Sequence, residues 1–239
     1  MARFLLIHGS CHGAWCWRDV IPALADLGHD ARAIDLPAHG QDQTPARTVT
    51  LDHYIDAILS AIDRPVTLVG HSAAGYPITL AAERAPEKIA QLVYLCAYLP
   101  APGQSMIDMR RAWPDQPLKG AVHADAEGAA YSIDTTKARG AFYHDCPAEA
   151  VEYALPRLCP EPIGPQSTVL PLLKKWPEVE AHYIRCDADR TIPPAYQATM
   201  ARALPPGRVT TLPTGHSPFF AAPVALAARL SQIAMQAGH

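Results

Sequence analysis

The chain has 239 residues, 49% of them hydrophobic and 18% charged, with a formal charge of −3 from 20 basic and 23 acidic side chains. No apolar run approaches the roughly 20 residues that span a bilayer, and the basic residues are not clustered into a face that would attract phosphates. This excludes a membrane span and argues against nucleic acid as a partner. The six cysteines are scattered with no C-x-x-C pair, which points to reduced thiols and a cytoplasmic protein.

In chain order, Arg3 to Ile7 is an apolar run too short for a signal-peptide core and reads as the first buried strand. Between Ala14 and Leu27 the apolar positions Trp17, Val20, Ile21, Leu24 and Leu27 fall at helical spacing before Gly28. His29 to Ile34 predicts a second strand. Thr50 then caps a helix with Leu51, Tyr54, Ile55, Ile58, Leu59 and Ile62 on its apolar face. A strand at Val66 to Val69, a helix from about Ala74 to Arg84 and a strand at Gln91 to Tyr98 continue the βαβ rhythm.

From about Pro100 to Trp176 the rhythm stops. The stretch is rich in prolines and aromatics, and a structureless loop of that length is improbable in a compact domain. Residues 100–178 are therefore expected to form a mostly helical lid, inserted into a core built from 1–99 and 179–239. The rhythm resumes with a strand at His182 to Cys186, a helix after Pro193, a strand at Arg208 to Leu212 and a last helix after Pro218. Strands alternating with helices predict an α/β fold with a mostly parallel, doubly wound sheet.

Chemistry concentrates at three loops that follow strands. Gly70-His71-Ser72-Ala73-Ala74-Gly75 joins a strand to a helix through small residues, the context of a nucleophile elbow. Ala74 stands where the usual G-x-S-x-G pattern has its second glycine. Asp187 and Asp189 compete for the acid, and Asp189 is preferred because it lies deeper in the loop before Pro193. His216 sits in the turn before Pro218. The order nucleophile, acid, histidine matches a serine-hydrolase triad of Ser72, Asp189 and His216, in which the histidine takes the serine proton and the carboxylate orients the imidazole. The oxyanion donors are expected at the amides of Ala73 and Ser10, the latter in the first loop, His8 to Gly13. His8 and His12 lack acidic or cysteine companions at ligand spacing, so no metal is expected; His12, Trp113, Tyr131 and Phe219 are the candidate pocket residues.

The segment Leu6-Ile7-His8-Gly9-Ser10-Cys11-His12-Gly13-Ala14-Trp15, the elbow and the His216 loop together resemble the plant methylesterase and hydroxynitrile lyase branch of the α/β-hydrolases. The resemblance covers nearly all of the sheet core and is weakest across the lid. It implies a cofactor-free enzyme of small molecules and allows a homodimer. It also supports Asp189, since in that family the acid follows a strand-ending cysteine and precedes an Ile-Pro pair, here Cys186 and Ile192-Pro193. The lyases have a threonine where this chain has Gly9 and a lysine where it has Ser217, so the resemblance implies hydrolysis of a small carboxylic ester. Two other functions stay open: a different reaction on the same triad, such as carbon–carbon bond or lactone hydrolysis or acyl transfer, and a non-catalytic ligand-binding protein of this fold.

Overall fold

The computed structural model describes residues 1–236. Strand β1 (Arg3–Ile7) leads through a short 3-10 turn, Ala14–Trp17, into α1 (Val20–Asp26). The single helix expected between Ala14 and Leu27 is thus broken in two. Pro22 is the reason: it has no N–H for the carbonyl of Arg18, and its ring would collide with that carbonyl in a continuous helix. Next come β2 (Asp30–Ile34), α2 (Leu51–Ser60), β3 (Val66–His71), α3 (Gly75–Arg84) and β4 (Ile89–Leu95). In α2, Thr50 accepts a hydrogen bond from the His53 N–H, and Leu51, Tyr54, Ile55 and Ile58 turn inward at i, i+3, i+4 and i+7.

The segment after β4 holds helices α4 (Met106–Ala112), α5 (Thr135–Phe142), α6 (Ala148–Ala154) and α7 (Ile163–Ser167). It also holds a three-stranded antiparallel sheet of β5 (Val122–Ala124), β6 (Ala130–Ile133) and β7 (Glu161–Pro162). The expectation of a mostly helical lid missed this sheet, whose strands of two to four residues are too short to show an alternating pattern. The chain returns through β8 (Ala181–Cys186), α8 (Pro194–Ala201), β9 (Val209–Leu212), α9 (Pro218–Ala221) and α10 (Pro223–Gln236).

The main sheet has six strands in the order β2-β1-β3-β4-β8-β9, all paired in parallel. Alternate side chains of each strand feed two cores. Leu5, Ile7, Leu68 and Leu92 pack with α2 and α3 on one face, and Phe4, Leu6, Val69 and Val93 pack with α1 and α10 on the other. Because every strand is parallel, the loops after β1, β3, β8 and β9 all emerge at one edge, where ligand sites of open α/β sheets form.

Candidate active site

The elbow between β3 and α3 holds Ser72 at φ +55°, a left-handed conformation that costs a side chain with a Cβ about 1–3 kcal/mol. Close packing on both sides enforces it. A Cβ on Gly75 would lie 1.9 Å from the Tyr98 carbonyl oxygen, and one on Gly70 would lie 2.7 Å from Ile78 Cδ1. The steric demand of the elbow therefore falls on Gly70 and Gly75, which is why Ala74 is accommodated between them.

Ser72 Oγ lies 3.0 Å from Nε2 of His216, whose Nδ1 lies 2.8 Å from Asp189 Oδ2. All three side chains are buried. With the proton on Nδ1, the imidazole donates to the carboxylate and accepts from the serine hydroxyl. The backbone N–H groups of Thr191 and Ile192 donate to Asp189 Oδ1 at 2.7 and 3.0 Å, and Gln197 Nε2 of α8 donates to Oδ2 at 2.8 Å. Asp187, the competing acid, is exposed and pairs with Arg185 at 3.2 Å. The ring of Phe142 stacks on that of His216 with centroids 5.7 Å apart and planes inclined by 29°.

The first loop crosses directly above the serine. A Cβ on Gly9 would stand 2.8 Å from Ser72 Cβ, so glycine permits the close crossing that brings Ser10 beside the nucleophile. Ser10 and Ala73 both line the cavity around Ser72. The backbone amide of neither is engaged by an acceptor among the described residues.

Histidines build this loop without titrating near neutrality. His8 Nε2 accepts the Leu36 N–H at 3.1 Å, and its Nδ1 faces the Gly9 carbonyl. His12 Nδ1–H donates to the Ser10 carbonyl at 2.7 Å, while its Nε2 accepts from the Tyr143 hydroxyl at 2.7 Å. Burial holds the imidazole of His12 down at about 4 and that of His8 well below its usual range. His12 thus touches the cavity, but both of its ring nitrogens are committed to the protein.

Three residues that sequence reasoning passed over complete the loop. Glu161 of β7 accepts the Cys11 N–H at 3.0 Å and meets His39 Nε2 at 2.8 Å, both side chains being buried. Burial alone would lower His39 and raise Glu161, but their mutual attraction reverses both shifts, so the imidazole is raised and the carboxyl lowered. His39 Nδ1 faces the Pro37 carbonyl at 3.1 Å, which suits a doubly protonated ring. Gln166 of α7 donates to Ser10 Oγ at 2.8 Å and to the Tyr131 hydroxyl at 2.8 Å. No local motif announces these partners.

The cavity at Ser72 is roofed by the lid residues Met106, Ile107, Leu118, Tyr131, Ile133 and Phe142. Tyr131 is where the sequence led us to expect it. Trp113 is not: it stacks on Tyr196 at 4.6 Å and lines a neighbouring outer chamber. Phe219 is also displaced from its expected role. Helix α9 points it into the core against Trp17 and Phe220, with its ring edge to that of His71.

Among the described residues, His71, Cys96 and His216 are the one group whose ligand atoms gather within 4.8 Å. His71 Nε2–H and the Cys96 thiol both donate to the His216 carbonyl, at 2.8 and 3.6 Å, so they hold the histidine loop in place.

The alpha/beta hydrolase family model matches residues 4–229. Methylesterase 2 of Arabidopsis thaliana is 31% identical, over 97% of this chain and 95% of its own. A pyrethroid hydrolase from Sphingobium faniae JZ-2 superposes with a TM-score of 0.84 at 27% identity, covering 98% of this chain and 97% of that one. An Arabidopsis methylesterase superposes with a TM-score of 0.86 at 25% identity, covering 99% and 100%. The chain belongs to the alpha/beta hydrolase family, and within it to the branch of the plant methylesterases.

Proposed function

We propose that the protein hydrolyses a small carboxylic ester through an acyl-enzyme on Ser72. The observation that carries this reading is the unbroken chain Ser72, His216, Asp189 facing a mostly apolar cavity. The esterase and hydrolase names of its relatives support it.

Ser72 Oγ attacks the ester carbonyl as its proton passes to His216 Nε2, and Asp189 stabilises the imidazolium through the Nδ1–H bond. Negative charge on the carbonyl oxygen is received by the N–H groups of Ser10 and Ala73, each such donor contributing on the order of 100-fold in rate. His216 then protonates the leaving alcohol. Water, deprotonated by the same imidazole, attacks the acyl group and returns Ser72. Ser217 in place of a lysine beside the histidine leaves no cation there for a departing cyanide, which favours hydrolysis over cyanohydrin cleavage.

Hydrolysis of p-nitrophenyl acetate tests the proposal. Ser72→Ala should lower kcat/KM by about 10⁴-fold or more, and a fluorophosphonate probe should label wild type alone. Undiminished turnover in Ser72→Ala overturns the reading, and a folded wild type that neither turns over nor labels would be a binding protein. All six cysteines are free, and no helix among the described residues is long and apolar enough to cross a membrane; the free thiols support action in a reducing compartment such as the cytoplasm.

A further inference from the structure

The inner cavity is lined by apolar, hydroxyl, amide and imidazole side chains and by one fixed charge, Arg110. Helix α4 puts it there. The helix is started by a reciprocal cap between Ser105 and Asp108. Met106, Ile107 and Arg110 share the stripe that faces the cavity, since i, i+3 and i+4 positions lie on one side of a helix. Arg111, one residue further, is exposed.

Arg110 forms no ion pair with any carboxylate among the described residues, and no acidic side chain lines the inner cavity. It is half-buried. Its guanidinium therefore has no protein carboxylate to meet at the cavity wall, which leaves it available to an anionic group of a ligand. The same residue borders the outer chamber, where Arg111 and Lys119 face a single acid, Asp115. That mouth is locally positive on a chain whose formal charge is −3, an arrangement that concentrates anions at the entrance.

We propose that the ester carries a carboxylate at its end remote from the scissile bond, and that Arg110 receives it as a bidentate partner. Nothing in the apolar roof competes for that group. Planar fork recognition is what distinguishes arginine from lysine in this role. The inference rests on the ester-hydrolase reading and narrows it to half-esters of dicarboxylic acids or esters of hydroxy acids.

The test uses matched pairs that differ only in the remote charge. Monoethyl adipate against ethyl hexanoate places the carboxylate on the acyl side, and 6-acetoxyhexanoate against hexyl acetate places it on the alcohol side. For each pair the ratio of kcat/KM, anionic over neutral, is measured in wild type, Arg110→Met and Arg110→Lys. Wild type should favour the anionic member of at least one pair by about tenfold, mainly through KM. Arg110→Met should bring that ratio to about one, Arg110→Lys should restore part of it, and raising salt from about 20 to about 500 mM should erode it in wild type. A ratio equal in wild type and Arg110→Met, or a wild-type preference for the neutral member of both pairs, overturns the proposal while leaving ester hydrolysis intact. Failure of wild type to hydrolyse any of the four esters would instead remove the ester-hydrolase reading and this one with it.

Discussion

Asp189 accepts four hydrogen bonds, from Thr191, Ile192, Gln197 and His216. Such a carboxylate cannot swing, so it fixes both the rotation and the tautomer of the imidazole it faces. Asp189→Asn should keep the geometry but present an N–H to His216 Nδ1, forcing the proton onto Nε2, where it can no longer accept from Ser72. We expect kcat to fall by about 10⁴-fold while the urea midpoint changes little. Loss of folding in that variant, or activity within tenfold of wild type, would show that the carboxylate acts otherwise. Legibility at this scale was uneven. Asp189 could be chosen over Asp187 from its place in the loop, whereas Gln197 is an ordinary helix glutamine until α8 docks beside the loop.

At the scale of elements, the lid is fastened to the sheet domain by the pair Glu161 and His39. They are 122 residues apart, one on β7 and the other in the loop after β2, and the same carboxylate grips the Cys11 amide next to Ser10. Glu161→Ala leaves that amide and imidazole buried without their acceptor, and should cost about 3 kcal/mol in urea unfolding. The difference from wild type should depend on pH on both sides. Glu161 is lowered in the folded state, so its contribution is present above its ordinary 4.5 and disappears as acid protonates it. His39 is raised, so its contribution is full below 6.5 and is lost as pH rises through the folded value. Equal urea midpoints for wild type and Glu161→Ala at about pH 5.5 would show the pair to be energetically idle. This fastening was not legible in the chain, because Glu161 lies in the segment whose short strands carry no period.

For the whole molecule, acid should be destabilising well before the carboxylates titrate. Burial holds His8, His12 and His71 below 6.5, with His12 at about 4, while the attraction of Glu161 raises His39. A histidine lowered by folding binds its proton in the unfolded chain first, so stability falls as pH drops below about 6.5. Each contributes up to about 1.4 kcal/mol per pH unit over the interval between its two values. Thermal unfolding from pH 7 to 4 should show a steady fall in Tm, and a flat profile would mean that these rings are solvated or paired. These are the same rings that shape the first loop and brace His216, so the acid sensitivity comes from the architecture of the site.

The sequence by itself determined the parallel sheet, the elbow at Ser72 and the three loops that carry Ser72, Asp189 and His216. Each is written locally, as a buried strand followed by a small-residue or proline-marked turn, and a parallel sheet delivers all such turns to one edge. Only the tertiary structure decided which residues wall the cavity and which hold the site rigid. Trp113 and Phe219 left the cavity, while Arg110, Glu161, Gln166 and Gln197 entered the surroundings of the site, because those positions depend on how an irregular lid packs across a sheet edge. Contacts over such separations leave no periodic or motif signature in the chain that makes them.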